Sequence, residues 1–444
     1  MGAAEEPQEP SGPPRIARRS LLGWSGAAGV AGLAAGGAGG FLAGRRQGDD
    51  AAAADAEADD STRARLTPSD DHASVRRLPM GLGDRIPAFG TVLAFDLSPA
   101  ARRAPDQART AAIDFLTHVS RLADHAATAS SFPTDRDTLD PQATAAASLD
   151  LRPASLQITP GVGASLLAAC GVEHQRPEAF IDLPSFATDR LDPGLSHGDL
   201  LVQVGAEDPL KMSGVVQAVM SYVRTQLRDS VRLRWSRPGF RNTAAASSDP
   251  ATTSRNLMGH RDGTDNPALR TPLWQISVQA QSPGWMTGGS YLVARQILID
   301  LDAWFTHPES GRDKVIGRST ATGAALGQHR ESQPVDLSAR RSDGEPAVPA
   351  HAHIRLASPQ NTGGARIYRR SWNFDDGYRD GRRRAGLMFL AWQADIRLGF
   401  LPIQHALTRH NDALNRFTTH IGSAVFAVPA RGDDAYVGQR LLEA

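Results

Sequence analysis

The loop Gly259-His260-Arg261-Asp262-Gly263-Thr264-Asp265-Asn266-Pro267 sets a carboxylate, Asp262, between glycines, where small residues let a ligand approach the backbone closely. Taken alone the segment reads as a turn, since Asp-Gly and Asn-Pro are common turn dipeptides. About ninety residues later comes Ala350-His351-Ala352-His353-Ile354-Arg355-Leu356, followed by Arg366-Ile367-Tyr368-Arg369-Arg370. A neutral imidazole is a metal ligand, and two histidines two apart on a strand point to one face and could hold a metal together. Third and fourth ligands for a zinc site are not apparent. Arginine stays charged at every working pH and presents several donors, although an Arg-Arg pair is ordinarily a solvated face.

The two clusters together resemble the dye-decolorizing (DyP-type) haem peroxidases, whose fingerprint is a G-x-x-D-G-T loop, a later H-I-R segment and an Arg-Arg pair. Leu183-Pro184-Ser185-Phe186-Ala187-Thr188-Asp189-Arg190-Leu191-Asp192 and Gly198-Asp199-Leu200-Leu201-Val202-Gln203-Val204 are similar to the family's first half. Gly288-Gly289-Ser290-Tyr291-Leu292-Val293-Ala294-Arg295, Ile316-Gly317-Arg318 and Gly386-Leu387-Met388-Phe389-Leu390-Ala391-Trp392-Gln393-Ala394-Asp395 are similar to its second. The resemblance covers about residues 85 to 430 and is closest to the exported kind that includes the deferrochelatase proteins.

The resemblance implies one haem b per chain, with His353 as axial iron ligand and Asp395 accepting the other N–H of that imidazole. On the opposite face it makes Asp262 the shuttle of the peroxide proton and Arg369 the stabiliser of the leaving hydroxide. Haem contacts are further expected from Gly263, Thr264 and Asp265, and from Ser358, Pro359 and Gln360, with Arg318 as a candidate propionate partner. Ser371-Trp372-Asn373 stands where the family commonly has Gly-Tyr-Ser, a change expected to bear on the distal pocket or its access. The activity implied is reduction of hydrogen peroxide with oxidation of dyes or other aromatic donors. The alternative is a haem-handling protein that releases iron from haem or carries haem in iron uptake.

Strands and helices must hold these groups. Thr91-Val92-Leu93-Ala94-Phe95-Asp96-Leu97 reads as a buried strand, and Ile113, Leu116, Val119 and Leu122 fall at helical spacing within Pro105 to Ala126. Leu200 to Val204 and Val231 to Trp235 read as strands around a helix from Pro209 to Leu227. The same grammar returns in Tyr291 to Leu301 (strand), Asp302 to Ile316 (helical), His353 to Leu356 (short strand), Leu387 to Gln393 (strand), Arg409 to Thr419 (helix) and Ala424 to Val428 (strand). Two such halves predict an α+β fold of two duplicated ferredoxin-like domains with haem in the second. The expected boundaries are 85–240 for the first domain, 241–287 for a connection carrying the Asp262 loop, and 288–444 for the second.

Residues 1–48 have the pattern of a twin-arginine export signal: Arg18-Arg19-Ser20-Leu21-Leu22 opens a weakly apolar Gly/Ala run ending near Leu42, too poor in strongly apolar residues for a permanent membrane span. Residues 49–84 follow as an acidic, alanine-rich linker. Export predicts a periplasmic, cell-surface or extracellular protein, with the twin-arginine machinery as a partner; the chain also leaves room for a homo-oligomer. Among the 444 residues, Lys+Arg and Asp+Glu both number 48, so the balanced charge gives no case for nucleic acid. Cys170, the single cysteine, lies in an apolar stretch and cannot form an intrachain disulfide.

Overall fold

Along strand β1 (Phe89–Leu97) apolar residues occupy both faces: Val92 and Ala94 point one way, Leu93, Phe95 and Leu97 the other, and all are buried. A strand covered on both sides needs two packing layers, and the computed structural model supplies them. It describes residue 79 and residues 86–128, 156–242, 253–262, 264–266 and 284–444. The proposed export signal (1–48) and nearly all of the proposed linker (49–84) lie outside the described residues, as does Gly263. Thr67–Ala444 form one compact unit.

The first half runs β1, helix Pro105–Thr128, β2 (Gln157–Gly163), β3 (Leu200–Ala206), helix Pro209–Gln226, β4 (Val231–Phe240). Its antiparallel sheet has the order β4-β1-β3-β2. The second half runs β5 (Ser290–Ile299), helices Leu301–Thr306 and Glu309–Ile316, the short β6 (Tyr368–Arg369), β7 (Trp372–Arg379), β8 (Arg382–Gln393), helix Phe400–Arg409 and β9 (Thr418–Val428). Its sheet order is β9-β5-β8-β7. Both halves therefore show the 4-1-3-2 order of a ferredoxin-like unit.

Two short seams join the halves edge to edge. Val162 and Gly163 of β2 pair with Ala427 and Phe426 of β9, and Phe240 of β4 pairs with Asn373 of β7. With β5 paired to β8, eight strands close into a ring. Inward residues including Val92, Ala94, Leu201, Leu292, Trp372, Phe374, Leu390, Trp392 and Phe426 fill it. Trp372 needs Gly90 opposite, because a Cβ there would lie 2.3 Å from its indole. Outward residues pack under the helices, where Ala108, Ala112, Phe115, Leu116 and Val119 form the stripe of Pro105–Thr128.

The structure corrects four expectations. His353–Leu356 is a single helical turn: the Arg355 and Leu356 amides both bond Ala352 O, and Leu356 is buried. The helix expected over 409–419 lies at Phe400–Arg409, with Pro402 tolerated in its first turn, and a 3-10 turn at Ala413–Arg416 follows. Strands β2 and β7 were not expected. Pro160 and the glycines of β2 read as a turn, yet β9 pairs only with Val162 and Gly163, leaving Pro160 outside that seam.

Candidate active site

The axial turn is positioned by packing. Helix Glu309–Ile316 ends at Gly317, whose φ of 93° is left-handed; a Cβ there would lie 2.7 Å from Ile354 and 3.2 Å from Ala352. Only glycine allows the turn bearing His353 to sit this close.

His353 Nδ1 lies 2.7 Å from Asp412 Oδ2. An ionised carboxylate only accepts, so Nδ1 carries the hydrogen and the lone pair belongs to Nε2. Among the described residues Nε2 has no hydrogen-bond partner, and the ring is 31% exposed while the Asp412 carboxyl is 2% exposed. Burial pulls the imidazole's pKa down, but the charge and hydrogen bond of Asp412 outweigh it, and the net direction is up. Asp412 itself is fixed because its Oδ1 caps the 3-10 turn through Leu414 N at 3.0 Å.

Asp395 does not do this work. Its carboxylate receives Arg397 Nη2 at 2.8 Å and the Arg397 backbone amide at 2.7 Å, closing a turn after β8. The expectation that Asp395 bonds the axial imidazole is therefore corrected to Asp412. Asn411 is left-handed and Asp412 caps the 3-10 turn that follows, turn chemistry that by itself does not mark a partner for an imidazole. His351 is exposed, with Nδ1 against His410 O at 2.9 Å, so the two histidines share no metal site. No group of three or more metal-ligating side chains occurs among the described residues.

Asp262 and Arg369 meet: Arg369 Nη1 lies 3.3 Å from Asp262 Oδ1, both partly open to solvent. Both charges lie within electrostatic reach of the His353 ring. Asp262 ends a small hairpin in which Arg255 bridges Arg261, Asn256 N bonds His260 O, and Asp262 N bonds Ser254 O at 2.9 Å. Asn266, missed in the sequence, clamps the other side: its Oδ1 accepts Arg369 N at 3.1 Å and its Nδ2 donates to Arg369 O at 2.9 Å. Thr264 donates to Glu331 Oε1 at 3.0 Å, and Asp265 faces Arg366 at 3.7 Å.

His260 is no rival for proton transfer. It is buried against Trp304, with Nε2 near Thr320 Oγ1 and Asp313 Oδ1, and burial lowers its pKa. Of the Ser371-Trp372-Asn373 departure, the indole lies in the ring interior, where Nε1 donates to Pro87 O at 3.0 Å, and Ser371 Oγ accepts Leu390 N at 3.2 Å. Asn373 Oδ1 instead accepts Leu257 N at 3.1 Å and supports the hairpin.

These residues fit a haem. One imidazole nitrogen is held and the other has no partner among the described residues, and the Asp262–Arg369 pair lies within electrostatic reach of the ring. Buried Arg318, within electrostatic reach of Arg369 and Asp265, suits a propionate. Ser358 is buried beside the axial turn with Oγ unpartnered, Pro359 is half-buried, and Gln360 is exposed.

Comparison with known proteins agrees. The family descriptions "Dyp-type peroxidase, N-terminal" and "Dyp-type peroxidase, C-terminal" match residues 88–241 and 253–433. A "Dye-decolorizing peroxidase" of Thermobifida fusca (strain YX) is 46% identical over 369 residues, covering 82% of this chain and 83% of that protein. A "Deferrochelatase" of Escherichia coli (strain K12) is 33% identical, covering 66% and 70%. The crystal structure of a DyP-type peroxidase from Streptomyces coelicolor superposes with a TM-score of 0.74 at 37% identity, over 82% of this chain and 96% of that one. A fold of two ferredoxin-like halves, a site built for haem and two family domains spanning the ring together make this chain a member of the DyP-type peroxidase family, haem-dependent oxidoreductases that use hydrogen peroxide.

Proposed function

We propose that the chain reduces hydrogen peroxide on a haem bound through His353 and oxidises dyes or other bulky aromatic donors, with Asp262 and Arg369 as the distal pair. The observation that carries this reading is the His353–Asp412 pair set within electrostatic reach of the Asp262–Arg369 pair. Haem, when bound, supplies the redox chemistry, taking oxidising equivalents from peroxide and passing them to the donor. Asp412 holds the Nδ1 proton of His353, keeping Nε2 as a ligand and making the ring more electron-donating. Asp262 takes the peroxide proton and returns it to the departing oxygen, while Arg369 stabilises the charge that develops there.

The test is stopped-flow mixing with peroxide. Arg369→Leu slows the peroxide reaction by about 100-fold or more with haem loading retained, and Asp262→Ala slows it less, since water and arginine can share the proton. Wild-type rates in both would remove the distal pair. The deferrochelatase reading is supported by the 33% relatives of that name, the peroxidase reading by the 46% relative. Accumulation of metal-free porphyrin without dye turnover would reverse the preference.

We also infer export by the twin-arginine route, supported by Arg18-Arg19 and the weakly apolar run behind it. Among the described residues no helix is long and apolar enough to cross a membrane. Replacing both arginines by lysine should hold the precursor in the cytoplasm by fractionation; unaffected export would overturn the assignment.

A further inference from the structure

Arg241 follows β4 at the end of the first half, its amide fixed on Ala88 O at 2.7 Å, yet its guanidinium reaches both the connection and the second half. Nη1 donates to Ser371 O at 2.8 Å, and Nη2 donates to Ser254 Oγ. Each contact lies one step from the distal pair. The carbonyl of Ser254 holds the Asp262 amide at 2.9 Å, and Ser371 stands two residues after Arg369. Arg241 is within electrostatic reach of Asp262, Arg369 and Arg370, and among the described residues its guanidinium bonds neither distal side chain.

We propose that Arg241 is a positioning residue for the peroxide reaction: by tying the Ser254 segment to the Ser371 segment, one guanidinium fixes Asp262 against Arg369. This rests on the distal reading above. The planar fork of arginine suits the task, because two donors in fixed geometry bridge two acceptors, which a lysine ammonium does less rigidly. It also gives the first half a part in the chemistry. Asp262 lies in the connection and Arg369 in the second half, yet the tie between their segments comes from the end of β4.

The test uses the full chain with Arg241→Ala, Arg241→Lys and Ser254→Ala. Hydrogen exchange across residues 254–262, measured without and with haem, should speed up at least about fivefold in Arg241→Ala, less in Ser254→Ala, and recover partly in Arg241→Lys. In the haem-loaded protein the peroxide step should slow at least about tenfold, in keeping with the cost of small misplacements, while reduction of the oxidised enzyme by dye stays within about twofold of wild type. Unchanged exchange in both Arg241→Ala and Ser254→Ala would overturn the proposal, as would equal slowing of the two half-reactions. Arg369→Leu run alongside separates the two readings: a wild-type peroxide rate in that variant sinks the distal pair, whereas the exchange result concerns the tie alone.

Discussion

Two carboxylates decide what the site's basic groups can do: Asp412 behind His353 and Asp262 beside Arg369. His353→Ala should abolish the axially ligated ferric haem spectrum, whereas His351→Ala, whose ring faces solvent and bonds only His410 O, should leave it nearly intact. Asp412→Asn keeps the shape and removes the charge, so haem affinity or peroxide reactivity should fall by about 10- to 100-fold; a titration of apo protein with hemin and a stopped-flow trace would check it. Asp395→Asn should leave both within about twofold, since its partner is Arg397 and exposed pairs contribute little. His353, Asp262 and Arg369 could be singled out in the sequence because their residue types and order match a family fingerprint. Asp412 was not, because capping aspartates are common and nothing in sequence separates one that also faces an imidazole. Asn266 was hidden for a similar reason: an Asn before Pro reads as turn chemistry, and its clamp on Arg369 appears only when a segment more than a hundred residues away comes alongside.

At the scale of elements, the site depends on closeness between pieces that have little regular structure. The axial turn touches helix Glu309–Ile316 at Gly317, where left-handed backbone and a near contact with Ile354 coincide. Gly317→Ala should cost about 1–3 kcal/mol of stability and loosen haem retention, seen as faster haem transfer to an apo-globin acceptor; unchanged transfer would mean the turn relaxes freely. Long periodic elements such as Pro105–Thr128 and Pro209–Gln226 were readable from apolar spacing, as was the buried β1. The axial segment was not. His353-Ile354-Arg355-Leu356 is too short for periodicity to choose between strand and helix, and tertiary packing made the choice. Placing a helix at 409–419 similarly hid the 3-10 turn that carries Asp412.

For the molecule as a whole, the half-buried His118 and the buried His420 link stability to pH. Burial lowers His118 to about 4 and His420 to about 3, with nearby arginines adding to both. Each is neutral when folded and takes a proton when unfolded below about 6.5. The stability they contribute is therefore complete above that pH and is lost as pH falls toward the folded values. Melting temperature should drop between pH 6.5 and 4. His118→Phe, which keeps the stack on Tyr222 and removes an unpartnered Nε2, should flatten that drop, by on the order of 3 kcal/mol at pH 4; identical melting profiles would contradict it. The ring of strands has a further implication. Its two seams repeat one rule, the second strand of one half against the fourth strand of the other, as β2 with β9 and again as β7 with β4. A rule that reads the same from either half is the rule of a twofold dimer. Two copies of one half-length chain, paired by that rule, would leave none of the four edges open.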